Sequence, residues 1–291
     1  MPPQSIHPVL KTKLDRAASL IESADALVIA AGAGMGVDSG LPDFRGTTGF
    51  WRAYPALARS KVSFQGIARA GVFMTEPSRA WGFYGHRLAL YRSTIPHAGF
   101  ALLKHWGARM THGYGVFTSN VDGHFQKAGF DGNRIHECHG SVHHLQCLEP
   151  CNEFLWSANA FHPDVDESEC RLRIAMPTCQ QCGKIARPNV LMFDDYGWVE
   201  SRSNAQEVGL DLWLAKVKRP VIIEIGAGKA IPSVRNFSAR LTRKYGAQLI
   251  RINPREEGVA NYLGVGLAMG ATAALDEMAA ILGKGWQLPS Y

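Results

Sequence analysis

The stretch Ala31–Gly46, which reads AGAGMGVDSGLPDFRG, decides the fold and follows directly on the apolar run Ala26–Ala31. An apolar run that leads into a Gly-Ala-Gly turn is typical of parallel-sheet proteins that bind a dinucleotide. The dehydrogenase form of this turn has a third glycine, where this chain has Val37, and an acidic residue about 20 positions further on, where this chain reads FWR. The stretch therefore predicts a nucleotide site that is not of the dehydrogenase kind.

Apolar runs recur along the chain and alternate with stretches of helical periodicity. The runs lie at 114–118, 221–225, 248–252 and, shorter and expected at a sheet edge, 265–269. Helical spacing of apolar residues occurs at 10–24, 201–216, 233–245 and 271–282. Strands that alternate with helices predict an α/β fold, a Rossmann-like parallel sheet with helices on both faces.

Two segments break this alternation and predict a second, smaller lobe. Residues 47–108 are helical and rich in aromatic residues, and residues 141–187 hold five of the six cysteines. We interpret the first segment as a cofactor loop with a helical insertion and the second as a zinc-binding module. The Rossmann-like, dinucleotide-binding domain then comprises residues 1–46, 109–140 and 188–291.

The cysteine-rich segment contains two close pairs, Cys147 with Cys151 and Cys179 with Cys182, separated by 27 residues. Two such pairs can close a tetrahedral thiolate site, and four sulfur ligands leave no open position, so the predicted zinc ion is structural. Two alternatives stay open at this point. Either the cysteines are unpaired and buried, or Cys170 replaces Cys151 as a ligand.

The overall composition is that of an ordinary soluble globular protein, with 46% hydrophobic and 19% charged residues. The formal charge of +6 comes from dispersed Lys and Arg residues, which gives no sign of a nucleic-acid partner. No run approaches about 18 apolar residues, and the N-terminal residues read as an amphipathic helix rather than a signal peptide. We therefore expect a cytoplasmic protein without membrane contacts, whose cysteines are reduced or bound to metal.

Six sequence blocks resemble those of the sirtuins, which are NAD-dependent protein deacylases, and they occur in the family's order. The blocks are GAGMGVDSGLPDFRG (32–46), TSNVDGHFQKAG (118–129), IHECHGS (135–141), RPNVLMFDD (187–195), IGAG (225–228) and INPRE (252–256). The resemblance covers nearly the whole chain and points to a microbial-type member. It implies NAD as cofactor, a structural zinc ion, an acyl-lysine protein or peptide as substrate, and acyl transfer to ADP-ribose with release of nicotinamide.

The resemblance also implies roles for individual residues. The residues implied to bind the cofactor are Gly32, Ala33, Gly34, Asp43, Phe44, Arg45, Ser119, Asn120, Asp122, Gly226, Ala227 and Asn253. Those implied to act in catalysis are His139, as the general base, together with Asn120 and Arg45. An imidazole suits this role because it titrates near neutral pH. The stretch also contains His136, His143 and His144, and the His-Gly-Ser context selects His139.

Simpler explanations exist for three of these residues. Asn120 and Asp122 follow the apolar run 114–118, where both residue types also suit the cap of a strand-to-helix turn. Asn253 also suits an ordinary loop. A capping role and a cofactor contact do not exclude each other.

The resemblance implies substrate contacts at two places. Leu191, Met192 and Phe193 belong to the strand along which the family binds its peptide as an added strand. Tyr84 and Arg87, in the helical insertion, resemble the pair with which some sirtuins bind the carboxylate of succinyl- or malonyl-lysine, a group that arginine meets bidentately. The alternative is a helix in which Tyr84 packs inward and Arg87 is solvated.

The chain departs from the family pattern at several positions. Gly36 replaces a serine, Ser119 a glutamine, Ala227 and Gly228 a threonine and a serine, and Asp194 the glycine of a Phe-Gly-Glu block. These departures keep two other functions open: a protein ADP-ribosyltransferase, against which His139 argues, and a non-catalytic module that senses NAD. The acyl group, the target proteins and the oligomeric state stay open as well.

Overall fold

The computed structural model describes residues 7–42 and 46–288, without the side chains of residues 46–48. The helices are α1 (Pro8–Glu22), α2 (Gly46–Ala53), α3 (Pro55–Arg59), α4 (Phe64–Ile67), α5 (Ala70–Thr75), α6 (Pro77–Ser93), α7 (Ala98–Arg109), α8 (His124–Lys127), α9 (Ser201–Leu214), α10 (Ser233–Tyr245) and α11 (Ala271–Leu282). The strands are β1 (Ala26–Ala31), β2 (Tyr114–Thr118), β3 (Ile135–Glu137), β4 (Gly140–Cys147), β5 (Trp156–Ser157), β6 (Val165–Asp166), β7 (Arg171–Leu172), β8 (Ala186–Val190), β9 (Pro220–Ile225), β10 (Gln248–Ile252) and β11 (Gly264–Leu267). Short 3₁₀ helices lie at Ala33–Ser39, Gly132–Arg134 and Lys284–Trp286. None of the described helices has the length and apolar character needed to cross a bilayer.

The strands of the large sheet lie in the order β11, β10, β9, β1, β2 and β3, and each pairs with its neighbours in parallel. This confirms the predicted parallel sheet, with β11 at its edge as expected. Strand β3 was not predicted, because three residues are too few to show a period. Ala31 of β1 lies opposite Ile225 of β9 and Thr118 of β2, so the carboxyl ends of these strands form one edge.

The winding of the sheet reverses between β1 and β9. The chain proceeds outward from β1 to β2 on one side and from β9 to β10 on the other. In open parallel sheets, ligands bind outside the carboxyl ends of the strands at such a reversal. The fold therefore places a crevice where the glycine turns after β1 and β9 meet.

Every residue of β1 is buried because helices cover both faces of the sheet. On one face Leu27 and Ile29 pack with α1, α7 and α11, and on the other Val28 and Ala30 pack with α9 and α10. Burial on both faces explains why β1 reads as a continuous apolar run rather than an alternating one. The predicted helices on both faces are confirmed.

The smaller lobe combines helices α2 to α6 with strands β4 to β8 around a second hydrophobic cluster that includes Trp81 and Phe83. Helix α7, at the end of the predicted helical insertion, instead packs Phe100 and Trp106 in the cluster of the large sheet. The structure thus places α7 beside the sheet, whereas the domain boundaries as such stay a prediction.

The cysteine-rich segment is ordered into short antiparallel pairs. Strand β4 pairs with β5 and β8, and β6 pairs with β7. Helix α6 crosses β7 at Gly82, where a Cβ atom would lie 2.2 Å from the carbonyl oxygen of Cys170. Because only glycine permits this approach, the helical insertion and the cysteine-rich segment pack directly on each other.

Candidate active site

The glycine turns after β1 and β9 interlock. The backbone N–H of Gly34 donates to the carbonyl of Gly226 at 3.1 Å. A Cβ atom at Gly32 would lie 2.8 Å from that same carbonyl oxygen, and one at Gly226 would lie 2.4 Å from the Cα atom of Gly34. Gly226 also has a φ of 64°, which L side chains rarely adopt. The close approach therefore requires glycine at both turns.

A crevice opens beside these turns at the carboxyl ends of β1, β9, β10 and β11. Its volume is about 160 Å³, and its lining includes Gly34, Asp38, Gly226, Arg255 and Gly270. This volume accommodates part of a dinucleotide rather than all of it, since typical ligand pockets measure about 300–1,000 Å³. The crevice is lined by glycine backbone on two sides and lies where the winding of the sheet reverses. Both features suit the phosphates of a dinucleotide. Asp43, Phe44 and Arg45, the predicted cofactor loop, lie outside the described residues.

The loop after β2 carries Ser119, Asn120 and Asp122 to the same edge. The Asn120 amide donates to the carbonyl of Gly32 at 3.0 Å, which ties this loop to the glycine turn. The Asp122 carboxylate accepts from the backbone N–H of His124 at 2.9 Å, at the start of α8. The predicted turn-capping role of Asp122 is thus confirmed, and its cofactor contact stays a prediction.

His139 lies between β3 and β4, where three elements of the fold meet. Its carbonyl accepts from the backbone N–H of Leu191 at 3.0 Å. Its Nε2 atom lies 3.1 Å from the hydroxyl oxygen of Ser233, the first residue of α10. Burial lowers the pKa of the imidazole, and the backbone carbonyl of Ser119 partly offsets this by accepting a hydrogen bond. His139 is therefore neutral at neutral pH, as a general base must be.

The neighbouring histidines have other surroundings. Burial lowers the pKa of His136 and of His144 to about 4, which makes both poor bases at neutral pH. Nε2 of His143 lies 2.8 Å from the backbone carbonyl of Asp122, to which it donates. Among these four histidines, the surroundings of His139 suit a base best, whereas its catalytic role stays a prediction.

Asn253 is fully buried and follows β10 at the carboxyl edge of the large sheet, here called the nucleotide edge, which also carries the glycine turns after β1 and β9. Its amide donates to the carbonyl of Ala227 at 3.0 Å, and its side-chain oxygen accepts from the backbone of Arg255 and Glu256 at 3.1 Å each. These bonds hold the turns after β9 and β10 together. The contact of Asn253 with a ribose stays a prediction.

The predicted substrate strand lies beside His139, with alternating exposure. Leu191 is 39% exposed, whereas Met192 is buried. The backbone N–H of Phe193 donates to the carbonyl of Ala68 at 2.9 Å, which ties the strand to the helical insertion. Leu191 is thus the exposed residue of the three, and its backbone is bonded to that of His139.

The two aspartates after Phe193 differ completely. Asp194 is exposed, has a φ of 51° and forms a 2.6 Å ion pair with Arg69. The side chain of Asp195 is fully buried and receives two hydrogen bonds of 2.7 and 2.8 Å from the guanidinium of Arg187. Asp194 occupies a left-handed backbone conformation that glycine adopts freely and that other residues rarely adopt.

Tyr84 and Arg87 are both buried on α6. Arg87 is 9% exposed and donates to the hydroxyl of Tyr91 from Nε at 2.8 Å and from Nη2 at 2.6 Å. Its guanidinium also lies over the rings of Phe83 and Tyr91, 5.3 and 5.4 Å from their centroids. The expectation that Tyr84 packs inward is confirmed, and the alternative that Arg87 is solvated is wrong. A contact of either residue with an acyl group stays a prediction.

The four predicted metal ligands converge. The Sγ atoms of Cys147, Cys151, Cys179 and Cys182 all lie within 4.8 Å of one another, with 3.5 Å between Cys147 and Cys182 and 3.7 Å between Cys151 and Cys179. A tetrahedral zinc ion with Zn–S bonds of about 2.3 Å requires sulfur atoms roughly 3.8 Å apart. The four cysteines are therefore positioned to bind a structural zinc ion. Cys170 is buried in the aromatic cluster of the smaller lobe instead, so the alternative that it replaces Cys151 is wrong.

A sequence profile of the Sir2 family matches residues 32–208, which is more than half of the chain. The chain belongs to the Sir2 family. Among similar proteins, the NAD-dependent protein deacylase of Aquifex aeolicus is 26% identical over 230 residues, which cover 79% of this chain and 84% of that protein. The NAD-dependent protein deacetylase of Caldivirga maquilingensis is 26% identical over 265 residues, which cover 90% of both chains.

Solved structures of Sir2 homologues share the fold. One of them, a Sir2 homologue in complex with NAD, superposes with a TM-score of 0.66 at 21% identity and covers 91% of both chains. At this identity the likeness establishes the fold. It supports the predicted α/β fold, a parallel sheet with helices on both faces.

Sequence reasoning missed two features of this Sir2-family site. Ser233 belongs to none of the six blocks, and it meets His139 across 94 residues of sequence. The ion pair of Arg187 with Asp195 joins two residues of one block, but their pairing has no sequence signal because it depends on the bend at residues 191–194.

Proposed function

We propose that this Sir2-family protein is an NAD-dependent protein-lysine deacylase. It transfers the acyl group of an acyl-lysine side chain to ADP-ribose and releases nicotinamide. The observation that carries this proposal is the position of His139, a half-buried imidazole that lies beside Ser233 and the Ser119 carbonyl and whose own backbone carbonyl binds the N–H of Leu191. A base at this junction can reach both a nucleotide and a peptide.

The nucleotide edge supplies the contacts that NAD needs. The bare backbone at Gly32, Gly34 and Gly226 suits the pyrophosphate, while Asn120 and Asp122 suit the nicotinamide ribose and the carboxamide. When bound, NAD supplies a ribose carbon that accepts the acyl oxygen as nicotinamide leaves. His139 takes a proton from a ribose hydroxyl at the ring nitrogen that carries its lone pair, and the lowered pKa keeps the imidazole neutral at neutral pH.

The zinc ion has a structural role in this proposal. Four thiolates fill a tetrahedral site, so no position stays open for water or substrate. Cys147 ends β4, and β4 begins directly after His139, so the metal would stabilise the strand that follows the base. Because such ligands must be reduced, we also propose a reducing compartment such as the cytoplasm.

We propose further that the protein favours acyl groups that end in a carboxylate, which Arg87 would bind. The guanidinium of Arg87 is buried in an aromatic shell, where a charge-assisted hydrogen bond gains strength because water is excluded. Arg87→Met is then expected to lose turnover of succinyl-lysine selectively. The expected loss is about tenfold or more, which corresponds to one hydrogen bond to a charged group. Turnover of a matched acetyl-lysine peptide by the same variant is the internal control for folding. Equal loss on both peptides would show that Arg87 is structural.

Labelled NAD distinguishes the deacylase from its alternatives in one experiment. The protein is incubated with NAD labelled in the nicotinamide or in the adenosine part, with and without acyl-lysine peptide. A deacylase releases nicotinamide only with the peptide. Adenosine label retained on protein supports an ADP-ribosyltransferase, and binding without turnover supports an NAD sensor; either result overturns the proposal.

A further inference from the structure

Ser233 presents a hydroxyl group to the proposed base. Its oxygen lies 3.1 Å from Nε2 of His139, and both residues are half-buried. The cap of α10 is Pro232, which makes no side-chain capping bond, so Ser233 stands in the first turn. The nucleotide turn itself offers no hydroxyl, because it reads Ala227-Gly228. Ser233 thus presents a hydroxyl group that the fold brings to the imidazole from another element.

The first turn of α10 is fixed, so the contact is built into the fold. Arg235 donates from Nε and Nη2 to the carbonyl of Ala227 at 3.1 and 3.0 Å, and from Nη2 to the carbonyl of Glu256 at 2.8 Å. Further along the helix, the ring of Phe237 stacks on Phe117 of β2 with centroids 4.0 Å apart. Ser233 is therefore held against the same sheet edge that carries His139.

Two neighbours of the imidazole decide which nitrogen carries the proton. The backbone carbonyl of Ser119 can only accept, so the ring nitrogen that faces it must carry a proton. Since Nε2 lies beside Ser233, we assign the Ser119 bond to Nδ1. A neutral imidazole protonated at Nδ1 has its lone pair at Nε2, where the Ser233 hydroxyl donates.

We propose that Ser233 is a positioning residue of this site. In the ligand-free protein its hydroxyl donates to the Nε2 lone pair of His139 and holds the imidazole in the Nδ1–H tautomer, and this bond opens when Nε2 takes the proton of a ribose hydroxyl. The inference deepens the proposed deacylase function and rests on it for its catalytic meaning. The tautomer itself is a property of the protein without ligands.

The surroundings of His139 make this contact measurable. Burial and the Ser119 carbonyl are the causes that shift its pKa in the described part of the chain. The neighbouring imidazole of His136, with its pKa lowered to about 4, stays neutral while His139 titrates. A hydrogen bond donated to neutral His139 stabilises the uncharged form, so loss of the donor raises the pKa of His139.

The test is ¹⁵N NMR of the imidazoles in the ligand-free protein, with His139 assigned from the His139→Gln spectrum. We expect the Nδ1–H tautomer in the wild type. In Ser233→Ala we expect the pKa of His139 to rise by about half a unit to one unit, the shift that corresponds to one neutral hydrogen bond. Ser233→Thr keeps the hydroxyl and returns the pKa toward the wild-type value. Ser238→Ala on the same helix, where the hydroxyl bonds to the Val234 carbonyl, is the matched control and leaves it unchanged.

Two results would overturn the proposal. One is the Nε2–H tautomer in the wild type, and the other is a pKa of His139 that falls or does not move in Ser233→Ala. The activity readout is separate: the acid limb of the kcat/KM profile of Ser233→Ala shifts to higher pH by the same amount as the pKa. If the NMR result holds while no acyl-peptide is turned over, Ser233 orients His139 and the deacylase function is what fails.

Discussion

The buried pair of Arg187 and Asp195 predicts a large loss of stability from a single conservative change. Both side chains are at most 1% exposed, and their two hydrogen bonds measure 2.7 and 2.8 Å. The carboxylate also accepts from the backbone N–H groups of Met192 at 3.2 Å and Gly197 at 3.1 Å. Asp195 therefore closes the loop that follows the predicted substrate strand.

Asp195→Asn keeps the size of the side chain and removes its charge. Arg187 then stays buried as a cation without its counter-ion, and the amide of the new side chain cannot accept both guanidinium bonds. Breaking a buried pair in this way costs about 3–5 kcal/mol. The matched control is Asp194→Asn, the adjacent exposed aspartate with its ion pair to Arg69, which is worth about 0–1 kcal/mol. Asparagine also tolerates the left-handed backbone at that position, so the control adds no strain.

The assay is equilibrium unfolding in urea with the zinc content held constant, followed by the KM for acyl-peptide. We expect the free energy of unfolding to fall by about 3–5 kcal/mol for Asp195→Asn and by at most about 1 kcal/mol for Asp194→Asn. We also expect KM for the peptide to rise in the first variant more than KM for NAD. Equal free energies of unfolding for the two variants would refute the reasoning, because burial would then make no difference.

Two further predictions concern the nucleotide turn and the metal. Gly226→Ala is expected to weaken NAD binding, measured by calorimetry, by at least about tenfold, because its Cβ atom would lie 2.4 Å from Gly34 at a φ of 64°. Gly228→Ala is the control, because the space around that position is open. Equal affinities of the two variants for NAD would contradict the interlocked turns. Cys179→Ser is expected to lose bound zinc, measured by atomic absorption, and to have a lower melting temperature. Cys170→Ser is the control and is expected to keep its zinc. A full zinc complement in Cys179→Ser would contradict the four-thiolate site.

Local sequence signals predicted most of the fold. Continuous apolar runs identified β1, β2, β9, β10 and β11 because both faces of the sheet are covered by helices. The existence of β3 was not visible in the pattern because the strand has only three residues. The packing of α7 on the large sheet was not visible because α7 follows the aromatic helices without a break in composition. Period and composition report burial, and they do not report against which element a helix packs.

The parts of the candidate site that come from residues close together in the sequence were predictable. The cysteine pairs converge because each pair sits on one short turn. Contacts between blocks were not predictable: Ser233 reaches His139 across 94 residues, and the burial of Arg87 depends on rings that surround α6. The same limit applies to the FDD sequence at 193–195, in which adjacent identical residues have opposite environments.

The most direct test of the central claim is to measure deacylated peptide and free nicotinamide in the same reaction. Matched acetyl-, succinyl- and long-chain acyl-lysine peptides are each incubated with NAD and either the wild type or His139→Ala. The account predicts equimolar nicotinamide and deacylated peptide from the wild type on at least one peptide, and no steady-state deacylation by a folded, zinc-loaded His139→Ala. Nicotinamide release that is independent of peptide, or undiminished deacylation by His139→Ala, would contradict it.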